Sequence, residues 1–267
     1  MELSLAERTV VVTGAASGIG AASAERLRAL GARVIGVDRN VPVGASDFVQ
    51  ADLSTAEGAE KAARAVTALA PRLDGLANIA GVPGTAPWET VLAVNVLGLR
   101  ALTAALVPAI REGGFVTNLA SSVADGWAER LPQIRAFLRI DDPQEALATV
   151  TGNAEVTTNS YRFSKECVRV LTQTTAADLL GKHIRVNSVS PGPVDTPILE
   201  DFKRDHGPGK VEGAISLLGG AATPGSIADI VVFLATDSAR WVNGADIRVD
   251  GGLAAHRFAH TQIASMA

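Results

Sequence analysis

One cysteine and four histidines stand among 267 residues. The lone thiol, Cys167, closes no internal disulfide, and histidines so scattered form no Cys/His ligand cluster, which disfavours an oxidised scaffold and a zinc centre. Aromatic side chains make up 4% of the chain, with a single tyrosine, Tyr161. An excess of one charge is also missing. The 24 Lys and Arg against 28 Asp and Glu leave a net charge of -4, which offers no general attraction to phosphate backbones or anionic lipid. Neither nucleic acid nor a membrane is an expected partner. The N-terminus, Met1-Glu2-Leu3-Ser4, has an acid where a secretory leader needs bases and an apolar run. The most apolar stretch, Val91 to Ile110, is interrupted by Asn95, Arg100 and Pro108 and reads as a helix buried against a sheet rather than a bilayer span. Together these absences point to the reducing cytoplasm.

What is present is enough apolar surface for a large core, at 47% hydrophobic and 19% charged residues, too apolar for a disordered chain. Short β-branched runs alternate with Ala/Leu-rich helical stretches. Strands are predicted at Thr9–Thr13, Arg33–Val37, Phe48–Ala51, Leu76–Ile79, Phe115–Leu119, Arg185–Val189 and Ala245–Val249. Helices are predicted at Ser17–Gly31, Ala56–Ala70, Trp88–Arg111, Tyr161–Leu180 and Ser226–Thr236. The repeating βαβ order, with strands apolar on both sides, predicts an α/β fold: one doubly wound parallel sheet with helices on both faces. Two stretches break the rhythm. Residues 123–160 read as an inserted helical pair before Tyr161. Residues 197–224, rich in glycine and charge, suit either a mobile loop closing over a site or a plain solvent loop. No linker or repeat divides the chain, so residues 1–267 are expected to form a single domain.

Thr9–Thr13 runs straight into Gly14-Ala15-Ala16-Ser17-Gly18-Ile19-Gly20 and then a helical pattern. Glycines there let the backbone turn tightly and a pyrophosphate approach closely, while the helix N-terminus offers unpaired N–H groups and partial positive charge. The second strand ends in Asp38, 18 positions beyond Gly20, where a carboxylate accepts both hydroxyls of an adenosine ribose and repels a 2′-phosphate. NAD is therefore expected over NADP. Arg39 follows directly, placed either to soften that discrimination or to point into solvent.

Gly-x-x-x-Gly-x-Gly after Thr13 resembles the cofactor turn of the short-chain dehydrogenase/reductase family, whose fold is Rossmann-like. Asn78-Ile79-Ala80-Gly81 is similar to that family's Asn-Asn-Ala-Gly element, with Ile79 in place of the second Asn. Asp52-Leu53 resembles the pair that contacts the adenine. Pro191-Gly192-Pro193-Val194 with Thr196 resembles the segment that covers the nicotinamide. These matches run from Thr13 to Gly252 in the family's order.

Tyr161 and Lys165 stand four residues apart, so on a helix both side chains share one face. A neighbouring ammonium and a cationic oxidised nicotinamide both favour the phenolate, which would let Tyr161 exchange a proton with an alcohol. The family resemblance implies further roles: a serine after the fifth strand holding the substrate oxygen, Lys165 holding the nicotinamide ribose, and Asn95 bending the long helix and holding a water for proton relay. Counting places Ser121 at the serine position, whereas matching the text Ser-Ser-Val-Ala gives Ser122; Ser121 is preferred. The expected activity is metal-independent hydride exchange between NAD and a small-molecule alcohol or carbonyl. Ser121 and Tyr161 stand 40 positions apart, farther than in most of the family, and the resemblance to members with such an insertion implies a bulky apolar or aromatic substrate. Family members are usually dimers or tetramers, so a homodimer or homotetramer is implied. Cys167 reads as a packed or surface thiol and His256 with His260 as an ordinary tail. Among Trp88, Trp127 and Trp241, Trp127 is the candidate for the substrate side.

Overall fold

The computed structural model describes residues 4–42 and 44–261; Met1, Glu2 and Leu3 of the N-terminal reading lie outside these. Seven strands form one sheet: β1 Thr9–Thr13, β2 Arg33–Asp38, β3 Phe48–Gln50, β4 Leu73–Asn78, β5 Ile110–Leu119, β6 Arg185–Pro191 and β7 Asp246–Val249. Their order is β3-β2-β1-β4-β5-β6-β7, and every pair is parallel. After β1 the chain winds toward β3; after β4 it winds the other way. The crevice outside the carboxyl ends of β1 and β4 is thus the switch point where such sheets bind ligands.

Apolar residues cover both faces, as parallel strands require. Helices α1 (Gly18–Ala29) and α11 (Pro224–Ala235) pack on one, against Val10, Val12 and Phe115. The other face holds α2 (Ala56–Leu69), α4 (Leu99–Leu106) and α8 (Ser160–Asp178), packed against Val11, Leu76 and Val116.

The predicted helix Trp88–Arg111 is a composite. α3 (Trp88–Leu92) passes into a π-helical stretch, Ala93–Gly98, then α4, and β5 already begins at Ile110. Trp88–Ala109 is apolar and long enough to cross a membrane, yet it is mostly buried against α2, α8 and the sheet. Arg100 is tolerated there because its guanidinium donates to the carbonyls of Leu138 and Ile140, both at 2.7 Å, capping a helix end from the inserted segment.

That inserted segment is not the expected helical pair. A 3₁₀ turn, Ser122–Ala128, leads into three short helices: α5 (Leu131–Leu138), α6 (Pro143–Ala148) and α7 (Ala154–Thr158). Asp142 and Asn153 cap the last two by accepting the N–H groups of Glu145 and Val156. The three helices and the turn between the last two bury Ile134, Phe137, Ala146, Val150 and Val156 against Leu92, Val96, Phe163 and Cys167. Residues 197–224 likewise form structure rather than a plain loop, with α9 (Leu199–His206) and α10 (Pro208–Leu217). The expected tail is α12 (Leu253–Thr261), on which the rings of His256 and His260 stack at 4.1 Å.

Candidate active site

The turn after β1 needs glycine for two separate reasons. Gly14 has φ +69°, and a Cβ at Gly20 would lie 2.0 Å from the Gly14 carbonyl oxygen. Thr13 fixes the turn from below, its hydroxyl accepting the N–H groups of Ile79 and Ala80 at 2.9 and 3.0 Å. Helix α1 opens on Ser17 with no side-chain cap and no acid in its first turn. Its unpaired N–H groups are left for an anion in the cleft. Asp38 stands at the end of β2, one oxygen accepting Ala16 N–H at 3.1 Å and the other Asn40 N–H at 3.0 Å.

One cleft gathers most of the expected cofactor residues: Gly14, Ser17, Gly18, Ile19, Gly20, Asp38, Arg39, Asp52, Leu53, Ala80, Gly81 and Thr196. A glycine-rich turn, an uncapped helix start and a carboxylate 18 positions on fit a nicotinamide dinucleotide. The backbone N–H of Ser54 holds the exposed Asp52 carboxyl below its usual range. Pro191, Gly192 and Val194 line the adjoining cavity together with Ser121, Tyr161 and Lys165. Asn78 does not reach either wall. Strand register sets it opposite Asn118, and its amide donates to Asn118 Oδ1 and Thr103 Oγ1, both at 2.9 Å, tying β4 to β5 and α4 beneath the cleft.

Tyr161 and Lys165 share a face of α8. The ammonium lies 5.6 Å from the phenol ring centroid and donates to the Leu119 carbonyl at 2.8 Å. The tyrosine hydroxyl is hydrogen-bonded to Ser121, so Ser121, the N-cap of the 3₁₀ turn, takes the place at the phenol that Ser122 competed for. Burial pushes the Tyr161 hydroxyl well above its ordinary range, the Ser121 bond opposes that, and the Asp205 charge adds to it. Burial also brings Lys165 down to about 8. From the sequence, the Lys165 ammonium and an oxidised nicotinamide together are expected to favour the phenolate; among the protein's own groups, burial sets the direction at Tyr161.

Asn95 lies in the π-helical stretch and is buried. Its Oδ1 accepts Val82 N–H at 2.8 Å, and its Nδ2 donates to the Val82 carbonyl and Ser164 Oγ at 3.1 Å. The amide is spent on holding the Val82 segment after β4 to α8, and none of these bonds goes to Lys165. Trp127 does not line the cavity; it packs into the inserted core with Arg169 5.8 Å from its ring.

The cavity beside Tyr161 has a volume of about 460 Å³. Sequence reasoning missed its apolar wall: Leu199 and Phe202 from α9, Val211 and Ala214 from α10, and Leu253 from α12. Phe202 meets the Tyr161 ring edge-on, centroids 4.8 Å apart. The available signal was the i, i+3 spacing of Leu199/Phe202 and of Val211/Ala214, which glycine content obscured.

Residues 8–131 match the family described as short chain dehydrogenase, and residues 146–254 that described as enoyl-(acyl carrier protein) reductase; all of α5 but its first residue falls between them. A coniferyl-alcohol dehydrogenase of a Pseudomonas species is 39% identical over 254 residues, covering 94% of this chain and 98% of that protein. The 3-alpha-hydroxysteroid dehydrogenase/carbonyl reductase of Comamonas testosteroni is 33% identical, covering 91% and 95%. The crystal structure of a Pseudomonas 3-alpha-hydroxysteroid dehydrogenase complexed with NADH superposes with a TM-score of 0.81, at 35% identity over 95% of this chain and 99% of that one. With a doubly wound sheet, a dinucleotide turn at its switch point and relatives matched along nearly their whole length, the chain belongs to the short-chain dehydrogenase/reductase family of NAD(P)-dependent oxidoreductases.

Proposed function

We propose that the protein oxidises a bulky apolar or aromatic alcohol with NAD, coniferyl alcohol to coniferaldehyde being the first choice. The observation that supports this most is the hydrogen-bonded Ser121–Tyr161 pair, with buried Lys165 on the same helix face, where the dinucleotide cleft opens into a cavity that has an apolar wall from α9, α10 and α12 and also carries Asp125, Arg162, Lys210 and Arg257. Bound NAD supplies the hydride acceptor. Ser121 Oγ holds the alcohol oxygen, and Tyr161 Oη takes its proton. Tyr161 accepts that proton as the phenolate, which the Lys165 ammonium steadies, and becomes the neutral phenol; Lys165 would also hold the ribose of a bound nicotinamide. Asn95 keeps the Val82 segment, and with it Gly81, against α8. Asp38 in the cleft wall supports NAD over NADP, since the 2′-phosphate of NADP would meet its carboxylate. The two hydroxysteroid dehydrogenases among the relatives support a 3α-hydroxysteroid as the second reading. We assign the chain to the cytoplasm as a single catalytic domain working as a homodimer or homotetramer.

The test is turnover of NAD and NADP, followed by the absorbance of the reduced nicotinamide, with a panel of aromatic alcohols and hydroxysteroids. Highest kcat/KM for coniferyl alcohol with NAD is expected. A steroid ahead of the aromatic alcohols selects the second reading, and tight NAD binding without any turnover identifies a cofactor-binding sensor or scaffold instead. Tyr161→Phe is expected to abolish turnover and keep NAD affinity; an active Phe variant removes Tyr161 as the base.

A further inference from the structure

Glu166 is the residue next to Lys165, and it is fully buried. A bare carboxylate in such a place is costly, so its partners define what it does. Arg130, from the inserted segment, grips it with two prongs of one guanidinium: Nε donates to Oε2 at 2.6 Å and Nη2 to Oε1. Arg162, next to Tyr161, donates to Oε1 at 3.2 Å. The remaining prong of Arg130 reaches Glu155 on α7 at 2.8 Å. The 3₁₀ turn that starts after Ser121 crosses directly over this cluster, for a Cβ at Gly126 would lie 2.6 Å from Arg162, 2.8 Å from Arg130 and 3.2 Å from Glu166.

One buried carboxylate thus joins the inserted segment, the turn following Ser121 and the part of α8 that bears Tyr161 and Lys165. We propose that Arg130 is a positioning residue for the reaction: its forked grip on Glu166 fixes the catalytic turn of α8 against the Ser121 segment. The inserted segment, on this view, braces the catalytic group from behind as well as adding to the core. Stability is a poor reason to keep such a pair, because two well-packed apolar residues in its place are often as stable or more so. Geometry is a better one, since a guanidinium binding both carboxylate oxygens fixes orientation as well as distance.

The proposal rests on Tyr161 and Lys165 being the reacting pair, and its test has one readout that needs no turnover. Tyr161 is the only tyrosine, so ultraviolet difference titration of the whole protein reports its hydroxyl alone. The variants are Arg130→Met/Glu166→Met, which swaps the pair for apolar residues, and Arg130→Lys, which keeps the charge without the fork. Folding is checked by circular dichroism, and if the double variant does not fold, Arg130→Lys decides. In the folded variants we expect the phenol to titrate closer to its ordinary value of about 10 than in the wild type. The kcat should fall on the order of 10- to 100-fold, as misplacement of reacting groups does, with NAD affinity and substrate KM unchanged. A folded variant with wild-type kcat overturns the proposal, as does one that also loses NAD binding, which marks a merely structural role. If the wild type turns over no alcohol, the function reading fails by itself, and an unshifted phenol titration then overturns the clamp.

Discussion

Lys165 is 3% exposed, and the hydrogen bond its ammonium makes goes to a backbone carbonyl of Leu119. Its folded value of about 8 lies below the ordinary 10.5, so between those limits the unfolded chain binds more protons and stability rises with pH. Below about pH 8 the full cost of burying the ammonium is present, roughly 3 kcal/mol from a displacement of that size. Lys165→Met removes it. In cofactor-free protein, urea unfolding should show the Met variant ahead of wild type at pH 7, with the gap narrowing by pH 9.5; a gap independent of pH would mean the ammonium is not desolvated. The i, i+4 spacing of Tyr161 and Lys165 was legible in the sequence because helix periodicity alone puts them on one face. The upward displacement of the tyrosine was not, because its burial against Phe202 and the Asp205 charge, opposed by the Ser121 bond, come from residues distant in the chain.

Asp38 acts through the element it ends. β2 delivers its carboxylate beside the turn after β1, where it accepts two backbone N–H groups and still lines the cleft. Asp38→Asn keeps an acceptor and removes the charge. The preference for NAD over NADP in kcat/KM should then drop on the order of 10- to 100-fold, as expected where like charges no longer meet; an unchanged ratio would shift the discrimination to other groups. Among the elements, β1, α1 and α2 were readable within a residue or two, since their periodicity and glycine punctuation are local. The distortion around Asn95 entered only through the family resemblance and not through local periodicity, because the bonds of Asn95 go to Val82 and Ser164, distant in the chain. Helices α9 and α10 were read as loop, their propensity masked by Gly207, Gly209 and Gly213, while packing around the cavity gives them their helical form.

At the scale of the whole molecule, the inserted segment is part of the core rather than an appendage. Phe137 is fully buried and meets Phe163 of α8 edge-on, ring centroids 5.7 Å apart. Phe137→Ala should therefore cost about 3–5 kcal/mol, the range for a large buried aromatic truncated to a methyl. Tryptophan emission and loss of NAD binding, followed along one urea series, should move together by that amount. A loss below about 1 kcal/mol, or two separate transitions, would show the segment fraying on its own.

The sequence by itself determined the sheet, its winding and the two chemical signatures, the turn after β1 and the Tyr161/Lys165 pair, because each depends on short-range spacing that backbone geometry converts directly into placement. It also offered both serines, with Ser121 preferred over Ser122 by counting. Tertiary structure decided which hydroxyl meets Tyr161, where Asn78 and Asn95 spend their amides, and what walls the cavity. Those outcomes depend on which side chains become neighbours once water is expelled, and desolvation and hydrogen-bond pairing act through space rather than along the chain.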